Sequence, residues 1–168
     1  MTLVRTTIDT PIGELTLVAS DRGLRAVLWP VDDTRVGFDE AVVEADDGGR
    51  AHPVLGPAAV QLDEYFAGSR RDFDLPLDAV GSDFRLEAWS ALRTIPYGET
   101  ISYGEQASRL GRPSASRAVG SANGDNPISI VVPCHRVVGA DGSLVGFAGG
   151  LDVKRWLIDH ERAHTAAS

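Results

Sequence analysis

The only cysteine of this 168-residue chain, Cys134, is followed directly by His135 and Arg136. The three residues interrupt an apolar stretch that runs from Ile128 to Pro133 and resumes at Val137-Val138. A lone cysteine is first a small core residue, since free cysteine is among the most buried types. Its neighbours argue for more, because an imidazole and a guanidinium buried without partners are both costly. A thiol beside an imidazole is also a pairing that makes nucleophiles: the thiolate is the reactive form, and a nearby base helps to generate it. The β-branched run Ile128–Val132 reads as a short strand buried on both faces, which would carry Cys134 to its end. Neighbours on a strand point to opposite faces. Cys134 and His135 would then communicate through a bend after Pro133 or a bridging water.

A carboxylate in the last predicted helix completes the set. Val153, Trp156, Leu157, His160 and Glu161 fall on one helical stripe, with Glu161 at the end of the apolar face. Such a carboxylate is either at a fraying helix end or buried with a partner. Paired with His135, it would fix the imidazole tautomer and leave the other ring nitrogen to take the thiol proton.

The elements that must position these groups can be read outward from them. Leu3–Ile8, Glu14–Ala19 and Leu24–Trp29 form a β-meander punctuated by Pro11-Ile12-Gly13 and Asp21-Arg22-Gly23. Residues 30–53 are acidic, carry Asp32-Asp33, and read as a surface connection with a short strand or helix inside. Residues 55–67 read as a helix with Pro57 in its first turn, and Phe73–Leu75 as an edge strand. Leu77–Gly81 is the expected linker between an N-terminal domain, 1–80, and a C-terminal domain, 81–168. In the second domain Ser82 caps a helix over 83–95. Ser102-Tyr103-Gly104-Glu105 is a capping box opening a helix to Leu110, stopped by Gly111. Ser114 caps a third helix through Ala122. Two short helices so joined form a helix-turn-helix pattern, and the strand at 128–132, a glycine-rich loop at 139–150 and a helix at 152–162 complete a winged-helix-like unit.

The second helix of the pair, Ala115-Ser116-Arg117-Ala118-Val119-Gly120-Ser121-Ala122, has little to read bases with. Base recognition uses Arg, Lys, Asn or Gln, and only Arg117 qualifies. Small side chains favour close, sequence-tolerant contact with phosphates and a groove floor; the competing reading is tight helix packing in a core. The net charge of −8 argues against a nucleic-acid partner only at first sight. Residues 1–80 hold 7 Lys+Arg against 15 Asp+Glu, whereas residues 81–168 hold 9 against 9. Any DNA contact therefore belongs to the second half, through a local cluster such as Arg109, Arg112 and Arg117. No apolar run is long enough to span a membrane, and the start of the chain lacks a secretory signature. One free cysteine fits a reducing cytoplasm and leaves no multi-cysteine metal site.

Val132-Pro133-Cys134-His135-Arg136-Val137 resembles the P-C-H-R-V active-site motif of the O6-alkylguanine-DNA alkyltransferases, the methylated-DNA–protein-cysteine methyltransferases. Ile95-Pro96-Tyr97-Gly98-Glu99-Thr100, Ser102-Tyr103, Arg117-Ala118-Val119-Gly120, Asn126-Pro127 and Gly149-Gly150-Leu151 follow the family's order and spacing. The likeness covers residues 82–162 well and residues 1–80 more loosely, through Thr10-Pro11-Ile12-Gly13.

The resemblance implies an α+β chain: a ribonuclease H-like N-terminal domain followed by a C-terminal winged-helix (helix-turn-helix) DNA-binding domain. It implies Cys134 as alkyl acceptor, with His135, Glu161 and a water as the network that keeps the sulfur thiolate-like. Asn126 braces the turn beside it, and Tyr103 donates a proton toward the guanine ring. Arg117 fills the gap left by an extruded base, with Ala115, Ser116, Ala118, Gly120 and Tyr103 along the DNA. Pro133, Phe147, Ala148 and Gly149 line the base pocket; many members carry Tyr and Ser at the positions of Phe147 and Ala148. The implied activity is direct DNA repair in the cytoplasm: irreversible, single-turnover transfer of the O6-alkyl group of guanine, and of O4-alkyl from thymine, to the protein's own cysteine after base flipping. No cofactor and no metal are expected. The partner is double-stranded DNA carrying O6-alkylguanine, approached from the minor groove by a monomer, with cooperative loading left open. A cysteine hydrolase and a non-repairing, damage-flagging or regulatory DNA-binding protein of the same fold are the rival readings.

Overall fold

The computed structural model describes residues 2–30 and 38–166, which fall into two compact units, Met1–Val80 and Gly81–Ser168. Asp32-Asp33 of the acidic connection lie outside the described residues.

In the first unit, β1 (Thr2–Thr10), β2 (Gly13–Ala19) and β3 (Leu24–Leu28) form the expected meander, and β4 (Ala41–Glu44) adds in parallel to β1, giving the order β3-β2-β1-β4. The first turn needs glycine, because Gly13 sits at φ +112°. Every residue of β3 is buried. Helix α1 (Leu55–Phe66) turns Leu55, Ala58, Leu62 and Tyr65 inward. Its first turn is capped by an imidazole: His52 Nδ1 accepts the N–H groups of Val54 and Leu55 at 3.1 and 3.2 Å. Phe73–Leu75 is not the expected edge strand. Gln61 holds the Asp74 backbone in both directions, and Pro76 has no N–H to give a ladder, so pairing with β3 is delayed to an isolated bridge between Leu24 and Leu77.

The second unit opens with α2 (Asp83–Leu92), whose cap is Ser82: its Oγ accepts from Arg85 N–H. The helix stops three residues short of the expected end, and a turn carries Thr94 and Ile95. After β5 (Ile101–Ser102), Ser102 Oγ accepts the Glu105 N–H at 3.0 Å and opens α3 (Tyr103–Arg109). Gly111 follows at φ +72°. Helix α4 (Ser116–Gly124) begins later than expected; its cap position is Ala115, and no side chain caps it, so Ser114 does not have that role. Helices α2, α3 and α4 are locked by buried polar bonds. Gln106 and Asn123 exchange amide hydrogen bonds at 3.1 and 2.7 Å, and Trp89 Nε1 donates to the Ala122 carbonyl.

The run Ile128–Val132 is buried as expected but is not a strand. It is a tight turn, closed by Val132 N–H donating to Ile128 O and by a bridge between Ser129 and Val132. Its strand propensity is overridden at Ile130, a β-branched residue at φ +73°. Cys134–Arg136 forms a 3-10 turn, and β6 (Val137–Val138) then pairs in parallel with β5. The last helix, α5 (Leu151–Ala166), is longer than expected.

Candidate active site around Cys134

The tight turn presents Cys134, and Asn126 determines its shape. Asn126 Nδ2 donates to Val132 O at 2.8 Å, and Asn126 Oδ1 accepts the Ile128 N–H at 3.0 Å. A backbone bent this way, with Ile130 in a conformation costing about 1–2 kcal/mol, has to be held by such partners. The 3-10 geometry also removes the strand problem, since Cys134 and His135 no longer alternate across a pleat.

Behind the turn, Glu161 of α5 is 1% exposed and His135 is fully buried. His135 Nε2 lies 2.6 Å from Glu161 Oε2. Arg136, buried and directed by its place in the same turn, donates from Nε to Oε1 at 2.8 Å and from Nη2 to Oε2 at 3.2 Å. Its Nη1 donates to Ile95 O, and Gly98 N–H donates to Glu161 Oε1. Burial alone would raise the Glu161 pKa. His135 and then Arg136 overcome that, so the carboxyl is held far below its usual range. A carboxylate this ionised, facing the ring at Nε2, puts the imidazole hydrogen on that nitrogen. Among the described residues His135 Nδ1 has no hydrogen-bond partner, and its lone pair is left as an acceptor.

Burial lowers the His135 pKa, Glu161 raises it through its charge and its hydrogen bond, and Arg136 and Lys154 lower it; the net shift is downward, so the ring is neutral at pH 7. Burial pushes the Cys134 thiol up, opposed by a hydrogen bond from the Asn126 side chain, by the charge of Lys154 and by the local backbone. The residue is 7% exposed.

Tyr103, first residue of α3, is half-buried, and burial together with the sulfur raises its pKa. Its hydroxyl donates to Val145 O at 2.9 Å, which ties α3 to the loop before α5. Phe147, Ala148 and Gly149 of that loop are half-buried, and Pro133 is buried. On α4, Arg117 is exposed. Arg109 and Arg112 of the expected basic cluster are engaged instead with Glu105 and Glu87. Ala115 and Ser116 are partly covered, and Ala118 is exposed. A Cβ at Gly120 would sit 3.7 Å from the Tyr103 ring, so that position places α4 beside the tyrosine.

Sequence reasoning missed Arg136 and Lys154 as members of this network. It also misphased α5: the buried residues are Lys154, Leu157, Ile158 and Glu161, while Val153, Trp156 and His160 are only half-buried. The missed signal was a basic residue at i−7 from Glu161, on its own face of the helix. Among the described residues no group of three or more His, Cys, Asp or Glu side chains is placed to hold a metal ion. No described helix is long and apolar enough to cross a membrane.

Two family profiles match the chain: the ribonuclease-like domain of 6-O-methylguanine DNA methyltransferase over residues 3–79, and the DNA-binding domain of the same family over residues 83–163. A methylated-DNA–protein-cysteine methyltransferase of Mycolicibacterium paratuberculosis is 50% identical over 166 residues, covering 96% of this chain and 94% of that protein. One from Methanosarcina acetivorans is 44% identical, covering 91% and 94%. Among solved structures, Mycobacterium tuberculosis OGT in complex with DNA superposes with a TM-score of 0.85 at 44% identity, covering 98% of this chain and 94% of that one.

Proposed function

The chain belongs to the 6-O-methylguanine DNA methyltransferase family, and from that premise we propose that it repairs duplex DNA by moving the O6-alkyl group of guanine onto Cys134, once per molecule. The observation that carries this reading is the His135 ring, with Nε2 held by Glu161 and Nδ1 unpaired in the turn that bears the thiol. The base must leave the stack to reach a sulfur this buried, at a cost of a few kcal/mol. Exposed Arg117, on a helix of small residues, suits the vacancy left behind. Tyr103 and the loop carrying Phe147, Ala148 and Gly149, with Pro133, form the wall around the everted base.

In the transfer, His135 Nδ1 takes the thiol proton, directly or through solvent. The S–C bond forms as the C–O6 bond breaks, and the electron pair stays on guanine. Tyr103 supplies a proton to the guanine ring, which offsets the developing charge. The imidazolium and phenolate then neutralise each other through solvent. The balance is one alkyl group to sulfur and one proton to guanine. The thioether has no second thiol to regenerate it, since Cys134 is the only cysteine. A reaction that consumes a free thiol belongs in a reducing compartment, and we assign the cytoplasm. O4-alkylthymine is a second substrate, and the acting species is a monomer on the minor-groove side.

Intact mass after incubation with duplex containing O6-methylguanine tests this. The expected result is a gain of one methyl group, mapped to Cys134, with product stopping at one equivalent. Binding with no mass gain favours a damage-flagging protein of the same fold and overturns the repair reading. Continued turnover overturns the single-use mechanism.

A further inference from the structure

Two of the chain's four histidines, His160 and His164, lie four positions apart in α5 and take no part in the transfer described above. That spacing brings two side chains onto one face of a helix, one turn apart. The rings meet there: their centroids are 4.3 Å apart, with planes tilted by 51°. His160 is in turn stacked on Trp156, one turn earlier, at 4.6 Å and 13°. Both histidines are half-buried, within reach of solutes. The tautomer of His164 is set by the helix itself, because its Nδ1 lies 2.7 Å from the His160 carbonyl oxygen. A carbonyl only accepts, so Nδ1 carries the hydrogen and the neutral ring has its lone pair on Nε2. A backbone carbonyl on the far ring nitrogen is the usual support of a metal-binding histidine, fixing both tautomer and ring orientation.

We propose that His160 and His164 form a two-imidazole chelate on α5 for a divalent late first-row ion: copper(II), nickel(II) or zinc(II). Imidazole is a ligand that suits this class. With metal–nitrogen bonds of about 2.0–2.1 Å at about a right angle, two imidazole centroids stand about 4.5 Å apart. The pair already stands near that spacing. Among the described residues no third His, Cys, Asp or Glu completes a metal cluster with them, so water takes the remaining positions. The ion closes a ring over one helical turn, and Glu161 lies inside it. The Glu161 carbonyl accepts from Thr165 Oγ1 at 2.7 Å, while its carboxylate holds His135 and Arg136. A bound ion therefore clips the turn that presents this carboxylate and stabilises the folded chain by mass action. The proposal is independent of the reading of Cys134 as alkyl acceptor. It departs from the expectation of a metal-free chain, which weighed cysteines and not the helical spacing of imidazoles. Stacking on Trp156 is the rival explanation of the pair, and the two part on cooperation between the rings. A chelate loses most of its gain when either imidazole is removed, whereas two independent histidines each keep their own share.

The test is calorimetric titration of nickel(II) chloride into the untagged full chain at pH 8. It is repeated with His160→Gln and His164→Gln, either of which carries the test if the other unfolds, and with Cys134→Ser, because a thiolate is also a nickel ligand. Wild type and Cys134→Ser are expected to bind one equivalent with the same affinity. Each histidine variant is expected to bind about tenfold more weakly or worse. The thermal midpoint of wild type is expected to rise with nickel, and that of the histidine variants to stay in place. No binding by wild type overturns the proposal. A loss of about twofold or less in each histidine variant also overturns it, because the imidazoles then act singly. Binding that disappears only in Cys134→Ser assigns the ion to the thiol and overturns the site on α5.

Discussion

Glu161→Gln tests the buried network most directly, because it keeps the side-chain shape and removes only the charge. The groups around the carboxylate are His135 Nε2, Arg136 Nε and Nη2, and Gly98 N–H. All of them present hydrogens. A carboxamide has one oxygen to meet them, and in either orientation its NH2 group faces donors. One escape is for His135 to give up its Nε2 hydrogen and accept from the amide. The hydrogen then moves to Nδ1, and the nitrogen that should take the thiol proton becomes a donor. Arg136 is meanwhile left as a buried cation without its carboxylate, which costs about 3–5 kcal/mol. With a urea dependence of about 2 kcal/mol per molar, the unfolding midpoint falls by about 2 M. The fluorescence of buried Trp89 follows the unfolding of the same unit. Methyl uptake slows by about 10²–10⁴-fold through loss of the base. The two effects separate in the double variant Glu161→Met with Arg136→Met, because replacing a buried ion pair by apolar groups recovers stability. It should regain much of the midpoint and still fail to transfer. A Glu161→Gln protein with wild-type midpoint and wild-type rate would refute the reasoning.

Three further outcomes are expected. Asn126→Ala removes both side-chain bonds that hold the Ile128–Val132 turn and should cost about 2–4 kcal/mol, read as a fall in the denaturation midpoint; an unchanged midpoint means the turn holds its own shape. Arg117→Ala, at an exposed position, should leave stability within about 0.5 kcal/mol and slow repair of duplex far more than reaction with free O6-benzylguanine; equal slowing removes the base-replacing role. Stability should fall with acid. His135 and Glu161 are both held below their ordinary values in the fold. The unfolded chain therefore takes up a proton at each group where the folded one does not. Their contribution is full above about pH 6.5 and declines below it, His135 first and Glu161 near pH 4, by up to about 1.4 kcal/mol per unit for each. Urea midpoints at pH 8, 5.5 and 4 check this, and a flat profile contradicts it.

Much of this arrangement was legible in residue types. The P-C-H-R-V run, a helical Glu161 needing a partner, and Ser82 and Ser102 at helix starts all led to interactions that the coordinates contain. Each is either local in sequence or forced by a polar residue on an apolar face. What was misread depends on distant partners. Ile128–Val132 has strand composition, but two bonds from Asn126 bend it, and no propensity reports them. Lys154 was passed over because a hydrophobic pattern counts only apolar residues as buried. The stripe then shifted by one position, onto Val153, Trp156 and His160. The Gln106–Asn123 amide pair between α3 and α4 was invisible for the same reason, since its bonds span 17 positions of sequence.

Arg136 distinguishes this network from a bare imidazole–carboxylate pair. Glu161 raises the His135 pKa, and burial first, then Arg136 and Lys154, together lower it by more. Arg136 already satisfies the Glu161 charge from two nitrogens. With burial and both cations acting against a charged imidazole, the carboxylate orients the ring without protonating it. His135 stays an empty acceptor beside a sulfur that burial keeps protonated and that Asn126 and Lys154 make easier to ionise. The net of these opposing influences is a raised pKa, so the thiol is protonated in the resting protein. A nucleophile that can react only once gains from such restraint, because a permanently exposed thiolate would be lost to the first small electrophile. Both cations that disfavour charge on the imidazole, Arg136 and Lys154, are themselves buried.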